Sequence, residues 1–223
     1  MITPRLQKII DLVDCENICD IGTDHAYIPI RLASLNRIRK CIATDKNKGP
    51  LESAYNNVKK HRYDSLIELR LGEGLEPIEK NECELVIIAG MGGKLIGDII
   101  EKDIEKSKTF KFLLQPMNAQ KELRERLIKN GFKITREELS SEGFKVYNVF
   151  CCEVGDMEMP EEINLHIPKE LEGHNLYKML VNKKIREFEK ILKGLLNAKE
   201  PIISEIERYK GLLLKVKELD ERK

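Results

Sequence analysis

At 223 residues, 41% hydrophobic and 35% charged, the chain has room for one α/β domain of ordinary size plus an appendage, and its composition excludes a dominantly disordered state. Trp is absent and aromatic residues make up 5%, which argues against a surface built on many stacking platforms. The net charge of +1 hides an uneven spread: residues 168–223 carry 14 Lys and Arg against 10 Asp and Glu, leaving 25 basic and 28 acidic residues upstream. That basic tail is compatible with a solvated helical face and with a polyanion-facing one.

The opening stretch MITPRLQKIIDLV is amphipathic and charged, so it is read as no secretory leader, and no apolar run approaches the roughly 20 residues of a membrane span. Strand and helix signals then alternate. ENICDI, KCIAT, LIELRL, ELVIIAG and FKFLLQP are short runs rich in Ile, Val, Leu and Phe. Between them residues 28–35, 51–61, 94–104 and 119–130 read as helices, the last closed by Gly131. Strand–helix–strand repetition implies right-handed crossovers and a parallel sheet covered on both faces. FKITREELSS and GFKVYNVFCCEV follow at hairpin spacing, so the sheet is expected to finish with an antiparallel pair.

Residues 155–172 hold Gly155, Pro160 and Pro168, are followed at once by Gly173, show no period, and read as a linker between a domain at 1–154 and an appendage at 173–223. In the appendage Val181, Ile185, Phe188, Leu192 and Leu195 step by four and three residues, as do Ile202, Ile206, Tyr209, Leu213 and Val216. Two such seams joined by NAKEP predict an antiparallel helical coiled-coil hairpin, with Pro201 at a first-turn position. Scaffolding, a dimerisation arm and a substrate arm all remain open for it.

The six cysteines (Cys15, Cys19, Cys41, Cys83, Cys151 and Cys152) include no Cys-x-x-Cys pair. They read as reduced, buried small hydrophobes of a cytoplasmic protein, and their spacing supplies no metal site.

The chemistry gathers where strands end. A doubly wound sheet binds ligands at its carboxyl edge, where strand order reverses. After the first strand, DIGTDHAY keeps only Gly22 of a G-x-G-x-x-G dinucleotide fingerprint and places Asp20, Thr23, Asp24, His25 and Tyr27 there instead. Asp24 repels a phosphate and attracts a cation. Asp45 follows the second strand, where an acid can accept both hydroxyls of a ribose. Glu73 sits in GEGL, between Gly72 and Gly74, after the third. Ala89, Gly90, Met91, Gly92 and Gly93 follow the fourth. Acids and glycines on four successive edges suit a nucleoside that is cationic and lacks phosphate, and S-adenosylmethionine has those features. Any one acid taken alone is more often a helix cap or turn residue than a ligand, and His25 and Tyr27 taken alone read as structural.

RLQ near the N-terminus, DIGTDHAYIP, GPL from Gly49, GEGL, IAGMGG and LLQP occur in the order seen in the bacterial tRNA (adenine-22-N1)-methyltransferase family, which the chain resembles along nearly its whole length. Two departures are visible: Gln115-Pro116 is followed by Met117 before Asn118, and Glu73 stands where an aspartate is common. The resemblance implies a Rossmann-like class I methyltransferase sheet, S-adenosyl-L-methionine as cofactor and tRNA as partner, with no metal and no membrane. It implies methyl transfer to N1 of an adenine in the D arm by a monomer or weak dimer. The donor would be held by Asp20, Gly22, Thr23, Asp24, His25, Asp45, Lys46, Gly72, Glu73, Gly74 and Ala89 to Gly92. Asp24 and Tyr27 would act on the target base, Asp24 having a rival task at the donor's amino group. Arg5, Lys94 and Asn118 would face the RNA. A class I methyltransferase of a small molecule or protein and a non-catalytic coiled-coil adaptor are the alternatives; the first needs no salt-dependent RNA binding, the second no donor binding.

Overall fold

The computed structural model describes residues 2–221. Its elements run in the order α1 (Pro4–Leu12), β1 (Asn17–Ile21), α2 (Tyr27–Ser34), β2 (Lys40–Asp45), α3 (Lys48–His61), β3 (Ile67–Leu71), β4 (Leu85–Met91), α4 (Gly93–Lys102), α5 (Ile104–Ser107), β5 (Lys111–Pro116), α6 (Gln120–Lys129), β6 (Phe132–Glu142) and β7 (Lys145–Val154). Then follow α7 (Glu162–His166), a 3-10 turn at Lys169–Leu171, α8 (Tyr177–Leu196) and α9 (Ile203–Glu221).

The seven strands form one sheet in the order β3-β2-β1-β4-β5-β7-β6. β1, β2, β3, β4 and β5 pair in parallel, and β7 joins β5 antiparallel. Strand order therefore reverses between β1 and β4, as the alternating pattern and terminal hairpin predict. β1, β2, β4 and β5 read as near-continuous apolar runs because both faces are covered. One face packs Cys19, Ile42, Val86, Ile88, Phe112 and Leu114 against Ile96 and Ile100 of α4 and Leu123 and Leu127 of α6. The other packs Ile18, Cys41, Ala43, Ile87 and Leu113 against Ile9 and Ile10 of α1, Leu32 of α2 and Val58 of α3. Helix α1 begins because Thr3 accepts a hydrogen bond from the Leu6 amide and Pro4 occupies the first turn.

Residues group into two compact units, Met1–Gly143 with Tyr147–Met159, and Phe144–Val146 with Pro160–Lys223. The second unit contains α8 and α9 side by side, with Phe188 and Tyr209 ring centroids 5.7 Å apart and Val181, Ile206 and Val216 buried. Ile202 departs from the expected seam: it lies before the first turn of α9 and is 59% exposed. The stretch 155–172 is more ordered than its breaks suggest. It contains α7 and the 3-10 turn, with Ile163, Leu165, Ile167 and Leu171 buried. The period is unreadable there because the two helical pieces span only five and three residues.

No described helix is long and apolar enough to cross a membrane. Among the described residues no group of three or more His, Cys, Asp or Glu side chains is placed to hold a metal ion. The six cysteines are unpaired; burial pushes the thiols of Cys15 and Cys151 up to about 12 and about 11, and those of Cys19, Cys41 and Cys152 up as well, Cys19 chiefly through its hydrogen bond with Cys83.

Candidate active site

A cleft of about 550 Å³ opens at the carboxyl ends of β1, β2, β3 and β4, on the side where the strand order reverses. Its size is that of an ordinary small-molecule site.

The loop after β1 is built against phosphate. The amides of Gly22 and Thr23 both donate to the Thr44 carbonyl of β2, at 2.8 and 2.9 Å. In a dinucleotide loop such N–H groups point at the pyrophosphate. Here they stitch β1 to β2 and leave side chains to meet the ligand. Asp24 and Ala26 adopt left-handed backbone, φ 50° and 55°, without being glycine. Each such residue costs on the order of 1 kcal/mol, a strain typical of functional loops. The Thr23 amide turn is closed by Ala26, whose N–H returns to the Thr23 carbonyl at 2.9 Å.

Four carboxylates line the cleft: Asp20, Asp24, Asp45 and Glu73. Asp20 is buried, accepts the Thr23 hydroxyl at 2.7 Å, and is pushed up from 3.8 to about 6 by burial, with Asp45 adding to the rise. Asp45 is also buried, and one of its oxygens accepts the Asn47 amide at 2.8 Å, leaving the other for a ligand hydroxyl. Asp24 and Glu73 are exposed at the rim; Glu73 lies 3.7 Å from Lys102.

Bare backbone makes the floor. A Cβ on Gly22, whose φ is +71°, would stand 2.2 Å from the Met91 methyl, and one on Gly74 would press on Ile99 at 3.1 Å. The opposite wall is apolar: Leu95 and Ile99 lie one turn apart on α4 and both line the cleft. Sequence reasoning missed these two, along with Thr3, Leu6, Ile28 and Asn47. A Leu-x-x-x-Ile pair on the helix that follows the glycine loop was the available signal, but it has the same periodicity as a core stripe.

The structure brings Asp20, Gly22, Thr23, Asp24, Tyr27, Asp45, Lys46, Gly72, Glu73, Gly74, Ala89, Gly90 and Met91 together around the cleft, with Arg5. His25 and Gly92 are outside its lining. The His25 carbonyl accepts Asn57 Nδ2 at 3.1 Å, and its ring lies 3.6 Å from Asp24 and 5.2 Å from the Tyr27 centroid. Gly92 caps α4, and a Cβ there would meet Asn118 Oδ1 at 3.1 Å. Lys94 is exposed in the first turn of α4, and Asn118 is exposed after β5. Arg5 departs most from a surface cation: its side chain is 18% exposed, and Nη1 donates to the buried Gln115 at 2.6 Å.

These residues fit a nucleoside with a sulfonium and no phosphate: acids on three edges, no amide cradle, a glycine floor and an aliphatic wall. The family described as "Methyltransferase domain" matches residues 2–150. The curated tRNA (adenine(22)-N(1))-methyltransferase of Bacillus subtilis (strain 168) is 35% identical over 159 residues, 70% of this chain and 67% of that protein. The crystal structure of Streptococcus pneumoniae Sp1610 with S-adenosyl-L-methionine superposes with a TM-score of 0.87 at 29% identity, over 99% of this chain and all of that one. TrmK of M. capricolum, solved with the cofactor product S-adenosyl-homocysteine, superposes with a TM-score of 0.80 at 25% identity, over 99% and 98% of the two chains.

Proposed function

The chain belongs to the tRNA (adenine-22-N1)-methyltransferase family, and from that premise we propose how its own residues carry the reaction. It is an S-adenosyl-L-methionine-dependent methyltransferase acting on N1 of adenine 22 in tRNA. The observation that carries the site assignment is the loop after β1, whose amides are spent on Thr44 while its acids face the cleft.

Asp45 holds the ribose of the donor, with its second oxygen already fixed by Asn47. Gly72 and Gly74 admit the adenosyl group against Leu95 and Ile99, and Glu73 accepts at its polar edge. Asp20 faces the cationic amino-acid end. When bound, the sulfonium would supply its methyl group to adenine N1, whose lone pair forms the new N–C bond as the S–C bond breaks, leaving a neutral thioether and a positively charged methyladenine. Adenine N1 has its lone pair free at neutral pH, so no base has to prepare it. What the protein contributes is alignment and stabilisation of the charge that spreads to the exocyclic amine. Asp24, held in left-handed backbone at the rim, accepts from that amine, and Tyr27, 41% exposed, offers its ring to the target base.

The target base has to leave its stack, at a cost of a few kcal/mol. Arg5 and Lys94 offset that through phosphate contacts, and Asn118 reads a polar edge nearby. Such contacts make affinity fall steeply with salt.

Methylation of unmodified tRNA with a labelled donor, followed by nucleoside analysis, tests this. The expected product is 1-methyladenosine at position 22, lost in a tRNA with another base there and reduced at least about 100-fold in Asp24→Ala. Label in a different nucleoside refutes the substrate assignment.

A further inference from the structure

Gln115, the second-last residue of β5, is a fully buried carboxamide beside the cleft. β4 and β5 pair in register up to Ala89 and Gln115, after which the register shifts so that Met91 faces Pro116. Gly90, at φ +78°, is the residue left over by that bulge, and its amide drops out of the strand ladder. Gln115 Oε1 takes it, accepting the Gly90 N–H at 3.1 Å. The same oxygen accepts Arg5 Nη1 at 2.6 Å, from a helix 110 residues away in the chain. Because both partners are donors, the amide orientation is fixed: oxygen toward Arg5 and Gly90, nitrogen toward the Pro116 carbonyl at 3.2 Å.

Arg5 is held from other sides as well. Its backbone amide donates to Glu142 at 3.3 Å and its guanidinium lies 5.8 Å from the Tyr147 ring centroid. Nε is buried without a hydrogen-bond partner, 3.7 Å from the Glu142 carboxylate, and Arg5 lines the cleft with Ala89, Gly90 and Met91. Gln115, Glu142 and the Tyr147 ring together hold the guanidinium in place where Arg5 lines the cleft.

We propose that Gln115 is a positioning residue for methyl transfer: one buried amide oxygen fixes both the Arg5 guanidinium and the Gly90 peptide as a single wall against which the target nucleotide is aligned. The proposal rests on Arg5 meeting the RNA.

The experiment compares Gln115→Leu, Gln115→Glu, Arg5→Gln and the Arg5→Gln/Gln115→Leu double variant with the wild-type chain. The readouts are kcat/KM for unmodified tRNA, donor Kd by calorimetry, and the thermal midpoint. Gln115→Leu and Arg5→Gln are each expected to lower kcat/KM about 10- to 100-fold while donor Kd stays within about threefold, since Asp45 and the glycine floor are untouched. The double variant falls no further than the worse single one, because the two residues act as one unit. Gln115→Glu keeps the acceptor oxygens and stays within about fivefold of wild type. Fold-changes that multiply in the double variant overturn the proposal, as does a Gln115→Leu loss that tracks donor affinity and thermal midpoint together. Should Gln115→Leu fail to fold, Gln115→Glu decides, and a loss as large as that of Arg5→Gln overturns the assignment. Failure of the broader reading is distinguishable, because the wild-type chain itself would then form no 1-methyladenosine.

Discussion

Asp20 offers a direct test of the claim that the cleft is built around missing positive charge. Its carboxyl stands at about 6 in the folded chain against an ordinary 3.8, raised by burial and by Asp45, with the Thr23 hydroxyl pulling the other way. At about 1.4 kcal/mol per pH unit, keeping this group ionised costs the folded state roughly 3 kcal/mol. The sign follows from proton counts: between the two values the folded chain binds more protons than the unfolded one. The contribution of Asp20 to stability is therefore greatest below pH 4 and is lost as the pH rises through 6. Asp20→Asn keeps an acceptor for Thr23 and removes the charge. Urea denaturation at pH 8 is expected to show the variant more stable than wild type by up to about 3 kcal/mol, the gap closing toward pH 4. Donor affinity moves the other way, falling about 10- to 100-fold at pH 8 as the cationic end loses its partner. Calorimetry in buffers of different ionisation enthalpy adds a third signature: wild type releases protons on binding the donor near pH 6, and the variant does not. A stability difference independent of pH, or unchanged donor affinity, would refute the reasoning.

Three further outcomes follow from other parts of the structure. Gly93→Ala places a Cβ 2.6 Å from the Ala119 carbonyl and 2.7 Å from that of Asn118, both rigid backbone, and is expected to lower stability by about 1–3 kcal/mol in urea titrations. Glu137→Leu removes an ion-pair partner of the buried Arg124 and an acceptor of Asn148 Nδ2 at 2.6 Å, and is expected to cost about 3–5 kcal/mol in urea titrations, partly recovered when Arg124→Met is added. Phe188→Ala opens a hole between His166, at 4.8 Å, and Tyr209, at 5.7 Å, and should cost about 3–5 kcal/mol by circular dichroism melting.

The architecture was legible because its signals are local. The four strands β1, β2, β4 and β5 are buried along most of their length and leave nearly unbroken apolar runs, and Asp20 and Asp45 stand at the carboxyl ends of β1 and β2. The helical hairpin was legible for the same reason, since a seam at steps of four and three needs only its own helix. Ile202 was misplaced because periodicity does not say where the first turn begins, and α9 starts one residue later. The site residues that stayed hidden act across the fold. Leu95 and Ile99 carry a core-like spacing and become a cleft wall only through the Gly74 floor facing them. Arg5 has the look of a solvated cation until Gln115, distant in sequence, takes its Nη1.

The charge arrangement explains why such a loop persists despite its cost. Asp20 and Asp45 repel each other, and Asp24 and Ala26 hold left-handed backbone that glycine would adopt freely. Replacing Asp24 by Gly would relieve strain and remove a negative charge, and so would favour the folded chain. A sequence selected for stability alone would take that step. The acids make sense where a cation completes the cleft, because the same repulsion that weakens the empty protein is cancelled on binding and returns as affinity. Donor binding is thus expected to raise the melting temperature more in wild type than in Asp20→Asn at the same free donor concentration, since only in wild type does the relieved repulsion tighten binding.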